Sequence, residues 1–231
     1  LNTLAYGSST RPELCAALQT VARGQAEGRS RHLSAARQLI SFAHTHINRE
    51  FRFLVPPKSN MTTPQIWVTG DFDSSLGNVG PIVGENGSKK PTKRLEPEGH
   101  ARMGVCLFVT VGPYQKHQDA NAQGWTFFTR SSLNPTVSVG TTEAELTCCC
   151  WVARELVSCL NILRECFSWC YIRTPVAYGD NTAANLIAQG SASLRAVRHL
   201  CLQRLYCRWV CRENLLLVRE KRTNLMTADL L

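Results

Sequence analysis

Apolar residues return every three to four positions along one long stretch: Leu146, Cys149, Cys150, Ala153, Leu156, Val157, Leu160, Leu163 and Phe167. That spacing predicts a helix with one buried stripe, over 142–169. A polar, strand-like segment, Pro-Thr-Val-Ser-Val-Gly at 135–140, leads into it. Thr142 followed three residues later by Glu145 fits a capping box. Glu145 therefore stands in the first turn of a half-buried helix, where its carboxylate serves either as a cap or as a metal ligand.

Upstream, Thr-Arg-Pro-Glu at 10–13 is a helix-start signal, with Leu14, Ala17, Leu18 and Val21 following at helical spacing. A second helix, over 30–47, carries Leu33, Ala36, Ile40 and Ala43 on one face. Residues 1–62 thus read as a helical hairpin, too small to stand alone. Two prolines at 56–57 and the stretch 60–64 mark a linker into a second unit, 63–231. There the pattern predicts strands at 65–69, 104–112, 125–129, 175–178 and 215–218. Helices are expected at 182–188 and 194–212, with a last one capped by Thr223 or Asn224. Residues 74–102 have no periodicity and are expected as a long exposed loop. Three antiparallel-type strands come first, and later strands alternate with helices. The fold class is therefore α/β, a mixed five-stranded sheet with helices on both faces.

Composition narrows the function. A hydrophobic fraction of 44% supports a real core and excludes a disordered tail. No apolar run of about 18 or more residues occurs, so no membrane span is expected. No signal peptide is evident, and a start at Leu1 suggests a piece cut from a longer polypeptide. The net charge of +9, from 26 Lys+Arg against 17 Asp+Glu, points to a polyanionic partner, most simply nucleic acid. The 11 cysteines include the run Cys148, Cys149, Cys150 but no zinc-type two-residue gap. They read as buried thiols in a reducing, intracellular setting.

Four carboxylates fall at element ends that should converge. Asp71 closes the first strand, Glu145 opens the long helix, Asp180 closes the fourth strand and Asp229 opens the last helix. Asp73 is the weaker candidate for the first position. In open α/β sheets, sites form beyond the carboxyl ends of central strands. Four such groups would repel one another unless divalent cations relieved them, and Mg²⁺ favours carboxylate oxygens. Singly, each has a commoner role: Asp71 and Asp73 as turn residues, Glu145 as a cap partner, Asp180 with Asn181 as an N-cap, Asp229 as a helix-dipole partner. The set in this order is what favours a metal site.

These residues carry a resemblance. Asn-Pro-Thr-Val-Ser-Val-Gly-Thr-Thr-Glu-Ala-Glu-Leu at 134–146 resembles the "QPTVALSSTEAEY" of copia-type retrotransposon ribonuclease H domains. Ala-Tyr-Gly-Asp-Asn-Thr-Ala-Ala at 177–184 is similar to their "IYCDNQAAI", and 224–230 to "NPADILTK". Asp-Phe-Asp at 71–73 is like "SDADWA". Upstream, 4–13 and 32–36 resemble the end of a reverse transcriptase. The resemblance implies a ribonuclease H fold that degrades the RNA strand of RNA–DNA hybrids with two Mg²⁺ ions, Mn²⁺ being a substitute. It implies Asp71, Glu145, Asp180 and Asp229 as the catalytic, metal-binding carboxylates. It also implies a reverse transcriptase domain upstream in the same polyprotein. The polymerase's own Tyr-x-Asp-Asp motif is absent, so no DNA synthesis is expected. The 74–102 stretch is longer than usual, and Leu205 stands where the family has a histidine, while His199 is kept.

The positive charge then has a place. Arg195, Arg198, Arg204, Arg208 and Arg212 fall on one expected helix, and Lys89, Lys90, Lys93 and Arg94 in the loop. Hybrid duplexes are bound through backbone phosphates and 2′-hydroxyls, with little base preference. The plainer role for these residues is a solvated basic face. Two other functions compete with the nuclease. One is a non-catalytic nucleic-acid-binding or scaffolding module of the same fold. The other is a DNA-cutting, integrase-like nuclease, whose Asp, Asp, Glu order disagrees with the order here.

Overall fold

The computed structural model describes residues 14, 30–45, 64–76, 82–83, 89–90, 100–112, 125–138, 140–192, 201–226 and 228. Helix α1 is Ser30–Thr45, and the strands β1 to β5 are Gln65–Leu76, Ile82–Val83, Lys89–Lys90, His100–Gly112 and Trp125–Val137. There follow α2 (Thr141–Cys166), β6 (Tyr171–Ile172), β7 (Val176–Gly179), α3 (Thr182–Gln189), α4 (Cys201–Arg212) and β8 (Leu217–Glu220). A 3-10 turn, Thr223–Leu225, follows β8.

The main sheet has the order β5-β4-β1-β7-β8. The first three strands in sequence run antiparallel, and β7 and β8 join parallel to β1. The sheet is mixed, as the strand pattern predicts, with one addition. The two-residue β6 pairs parallel with the start of β1, making six strands. It is too short to show a period in sequence.

The strands are longer than their apolar runs. β1 stays paired with β4 from Gln65↔Gly112 to Leu76↔Ala101, so Asp71, Asp73 and Ser74 lie inside a strand and not in a turn after it. Backbone pairing carries these polar residues along. Likewise β4 begins at His100, and β5 runs through Pro135 into Val137. Proline is tolerated there because β5 is an edge strand. Residues 82–83 and 89–90, expected as loop, pair as a short antiparallel ladder.

Helix α2 lies across β1. Leu146, Val152, Ala153, Leu156 and Leu160 are fully buried, and Cys148, Cys149 and Cys207 are buried core thiols. The close approach requires Gly70. A Cβ there would lie 2.6 Å from Leu107 and 3.0 Å from Val152. By length and composition α2 could cross a membrane, yet its apolar stripe packs on the sheet. In α1 the buried face differs from the expected one. Leu39 is covered by Leu14, Ala35, Ala36 and Ala43, while Leu33 and Ile40 are exposed. The rest of the first hairpin, including 11–13 and 15–29, lies outside the described residues.

Candidate metal centre

Register assembles the site. In the parallel pair, Thr69, Gly70 and Asp71 stand abreast of Val176, Ala177 and Tyr178. Continuing that register by two residues sets Asp73 abreast of Asp180, which follows the last residue of β7. Glu145 is contributed by α2, as its fifth residue, just past the first turn. One oxygen from each of Asp73, Glu145 and Asp180 lies within 4.8 Å of the others. Among the described residues this trio is the group of His, Cys, Asp or Glu that could hold a metal ion.

The carboxylates of Glu145 and Asp180 are each oriented by a neighbour. Glu145 Oε1 accepts the backbone N–H of Ser74 at 2.9 Å. It therefore does not act as a capping-box partner: the N-cap of α2 is Gly140, with no side-chain cap bond. Asp180 Oδ2 accepts the hydroxyl of Thr223 at 2.8 Å. Asn181, not Asp180, caps α3, its side-chain oxygen taking the N–H of Ala184 at 3.0 Å. The carbonyl of Asp73 accepts the Cys148 thiol at 3.3 Å, fixing the strand under the helix.

Glu145 shows the electrostatic strain of the arrangement. Burial, then the neighbouring Asp73 charge, and to a lesser degree Asp180, push its carboxyl from the usual 4.5 up to about 8. Its second oxygen, Oε2, is buried with no hydrogen-bond partner. A buried acceptor left unpaired is costly unless a proton or a cation satisfies it. Three hard oxygen donors in reach of one another, one with an unfilled lone pair, suit a divalent cation such as Mg²⁺. The residues present fit such an ion.

Of the two candidates for the first position, the structure groups Asp73 with Glu145 and Asp180. Asp71 is not in the trio. Both of its oxygens contact Lys221 Nζ, at 2.9 and 2.7 Å, and the residue is 1% exposed. Asp73, two residues further along the same face of β1, takes the place nearest Asp180 and Glu145. The parallel pairing ends at Asp71↔Tyr178, and the register carried two residues further sets Asp73, not Asp71, abreast of Asp180. Lys221 carried no sequence signal, and Thr223, expected as a helix cap, instead donates to Asp180 at the start of a 3-10 turn whose N-cap is Arg222. Asp229 lies outside the described residues, as do Arg195 and Arg198.

Of the expected basic helix, α4 is described from Cys201. Arg208 is turned inward: its Nε donates to the Ile187 carbonyl at 3.3 Å and its Nη2 to Ala192 at 3.1 Å. It ties down the C-terminal end of α3, where orphan carbonyls need donors, and is not displayed toward a phosphate. Exposed Arg212 pairs with Glu213 at 3.1 Å. Of Arg204 only the backbone is described, within α4.

No family model matches the chain, and no curated protein matches it. Solved structures do. RNase H1 from the halophilic archaeon Halobacterium salinarum superposes at a TM-score of 0.39 and 14% identity, over 71% of this chain and 93% of its own. LC11-RNase H1, isolated from compost and solved in complex with an RNA/DNA hybrid, gives 0.40 at 13%, over 71% and 92%. The N-terminal RNase H domain of rv2228c from Mycobacterium tuberculosis gives 0.39 at 12%, over 72% and 89%. At such identities and scores the likeness decides nothing about chemistry, which rests on this chain's own side chains.

Proposed function

We propose that the chain is a metal-dependent endoribonuclease that hydrolyses the RNA strand of RNA–DNA hybrids. In this reading residues 63–231 are the ribonuclease H domain of a copia-type retrotransposon polyprotein. Residues 1–62 are the tail of its reverse transcriptase, and the setting is intracellular. The observation that carries the reading is the meeting of Asp73 inside β1, Asp180 just after β7 and Glu145 of α2, with an unpartnered Glu145 oxygen among them. The motif resemblance around Glu145 and Asp180 supplies the reaction class.

In this mechanism Asp73, Glu145 and Asp180 would hold Mg²⁺, with Asp229 as the expected further ligand. Held there, the metal would supply an activated water and charge stabilisation at the leaving 3′ oxygen. The Ser74 N–H keeps Glu145 turned toward the nest, and Thr223 does the same for Asp180. Glu145 is buried, and Asp73 and Asp180 are half-buried. Arg195, Arg198 and Arg204 are the proposed contacts to the hybrid's phosphates.

The test is cleavage of a hybrid duplex in Mg²⁺ by the full chain and by Asp180→Asn. The variant should lose more than about 10²-fold in rate, the scale expected when transition-state charge stabilisation is removed. Equal rates would refute the assignment. A second reading, a non-catalytic nucleic-acid-binding module, is favoured by the capture of Asp71 by Lys221. Hybrid binding without cleavage in either Mg²⁺ or Mn²⁺ would select it.

A further inference from the structure

A fixed cation stands beside the proposed metal centre. Gly179 of β7 is abreast of Glu220 of β8, and the backbone N–H of Lys221 bonds the Gly179 carbonyl at 3.1 Å, so the pairing continues one step. That step puts Lys221 in one row across the sheet with Asp180 and Asp73. Its side chain does not follow the row. It passes the Tyr178 ring, with Nζ 5.6 Å from the centroid, and reaches back to both oxygens of Asp71. The lysine side chain is 12% exposed and the aspartate 1%, so this pair is screened little by solvent.

Asp71 and Asp73 share a face of β1, one residue pair apart. Asp71 is thus the nearest further carboxylate along the strand to the trio. An ammonium that contacts both of its oxygens holds them away from any other cation, and its charge opposes an incoming metal ion. We propose that Lys221 is a positioning residue that withholds Asp71 from the metal centre and so sets its affinity for divalent cations. Metal binding and the ammonium compete for one carboxylate. This inference rests on Asp73, Glu145 and Asp180 forming a metal centre.

The experiment is calorimetric titration of the full chain with Mn²⁺ alone, at about 0.1 M and about 0.5 M KCl, the latter screening exposed charges within a few ångströms. Wild type is compared with Lys221→Met, which keeps the aliphatic stem on Tyr178, and with Lys221→Gln, which keeps an N–H donor for Asp71. Circular dichroism checks the fold of each. Lys221→Met should bind Mn²⁺ about tenfold more tightly, the scale on which an added ligand charge or a lost supporting contact moves affinity. Lys221→Gln should fall between. The gain should persist in high salt and vanish in Lys221→Met with Asp71→Asn. Equal affinities across wild type and both lysine variants would overturn the proposal. So would a gain that disappears in high salt, because the ammonium would then act through its field alone. Absence of Mn²⁺ binding in every protein would instead refute the metal centre itself.

Discussion

At the scale of residues, the account turns on Glu145. Its carboxyl is raised to about 8, so the folded chain holds a proton that the unfolded chain releases near 4.5. Between those values the native state binds the extra proton, and stability falls as pH rises. The metal-free protein should therefore have a higher urea midpoint at about pH 6 than at about pH 9. Saturating Mg²⁺ should raise the midpoint most at the alkaline end, since ion and proton compete for the same oxygens. A midpoint flat in pH without metal would mean that Glu145 is satisfied by something else. Sequence made Glu145 and Asp180 legible because each sits at the junction of two clear elements. It placed Asp71 ahead of Asp73, because the apolar run stops at Val68 while the hydrogen-bonded strand does not. No periodicity reports how far polar residues stay paired.

At the scale of elements, two joints fix the positions of the ligands. Asn181 caps α3 through the Ala184 N–H, and Asp180 is its immediate neighbour. Asn181→Ala should cost about 1 kcal/mol of stability, read as a lowered denaturation midpoint, and should weaken metal binding by loosening Asp180. Gly179 is the second joint. A Cβ there would run into the Phe72 ring and come within 3.0 Å of the Asn185 side chain, whose amide nitrogen bonds the Gly179 carbonyl. Gly179→Ala should therefore destabilise by about 1–3 kcal/mol, as overpacking of a dense core does, measurable by thermal or urea unfolding. An unchanged stability would show that Phe72 swings aside at no cost. The long helix was readable from its stripe, its bounds close to those expected. The two-residue β6 and the 3-10 turn were not, being shorter than one period of any pattern. The expected face of α1 holds for Ala36 and Ala43 and not for Leu33 and Ile40. Leu39 and its alanine neighbours face Leu14, so the smaller residues are covered and the larger Leu33 and Ile40 are not.

At the scale of the whole molecule, sheet order sets where the carboxylates meet. Placing β1 in the middle, antiparallel on one side and parallel on the other, brings Asp73 of β1, Glu145 near the start of α2 and Asp180 just after β7 to a single point. The mixed direction was legible from the order of elements. The convergence point was legible only to within two residues, because register is a property of pairing and not of one strand. The net charge of +9 agrees with a polyanionic substrate, while Arg208 is turned inward to hold α3 and does not contribute. The measurement that bears most directly on all this is the location of Mn²⁺ by anomalous scattering in crystals of the chain. The account predicts a peak within about 2.0–2.6 Å of oxygens from Asp73, Glu145 and Asp180. A peak bound elsewhere, or none at saturating Mn²⁺, would contradict it.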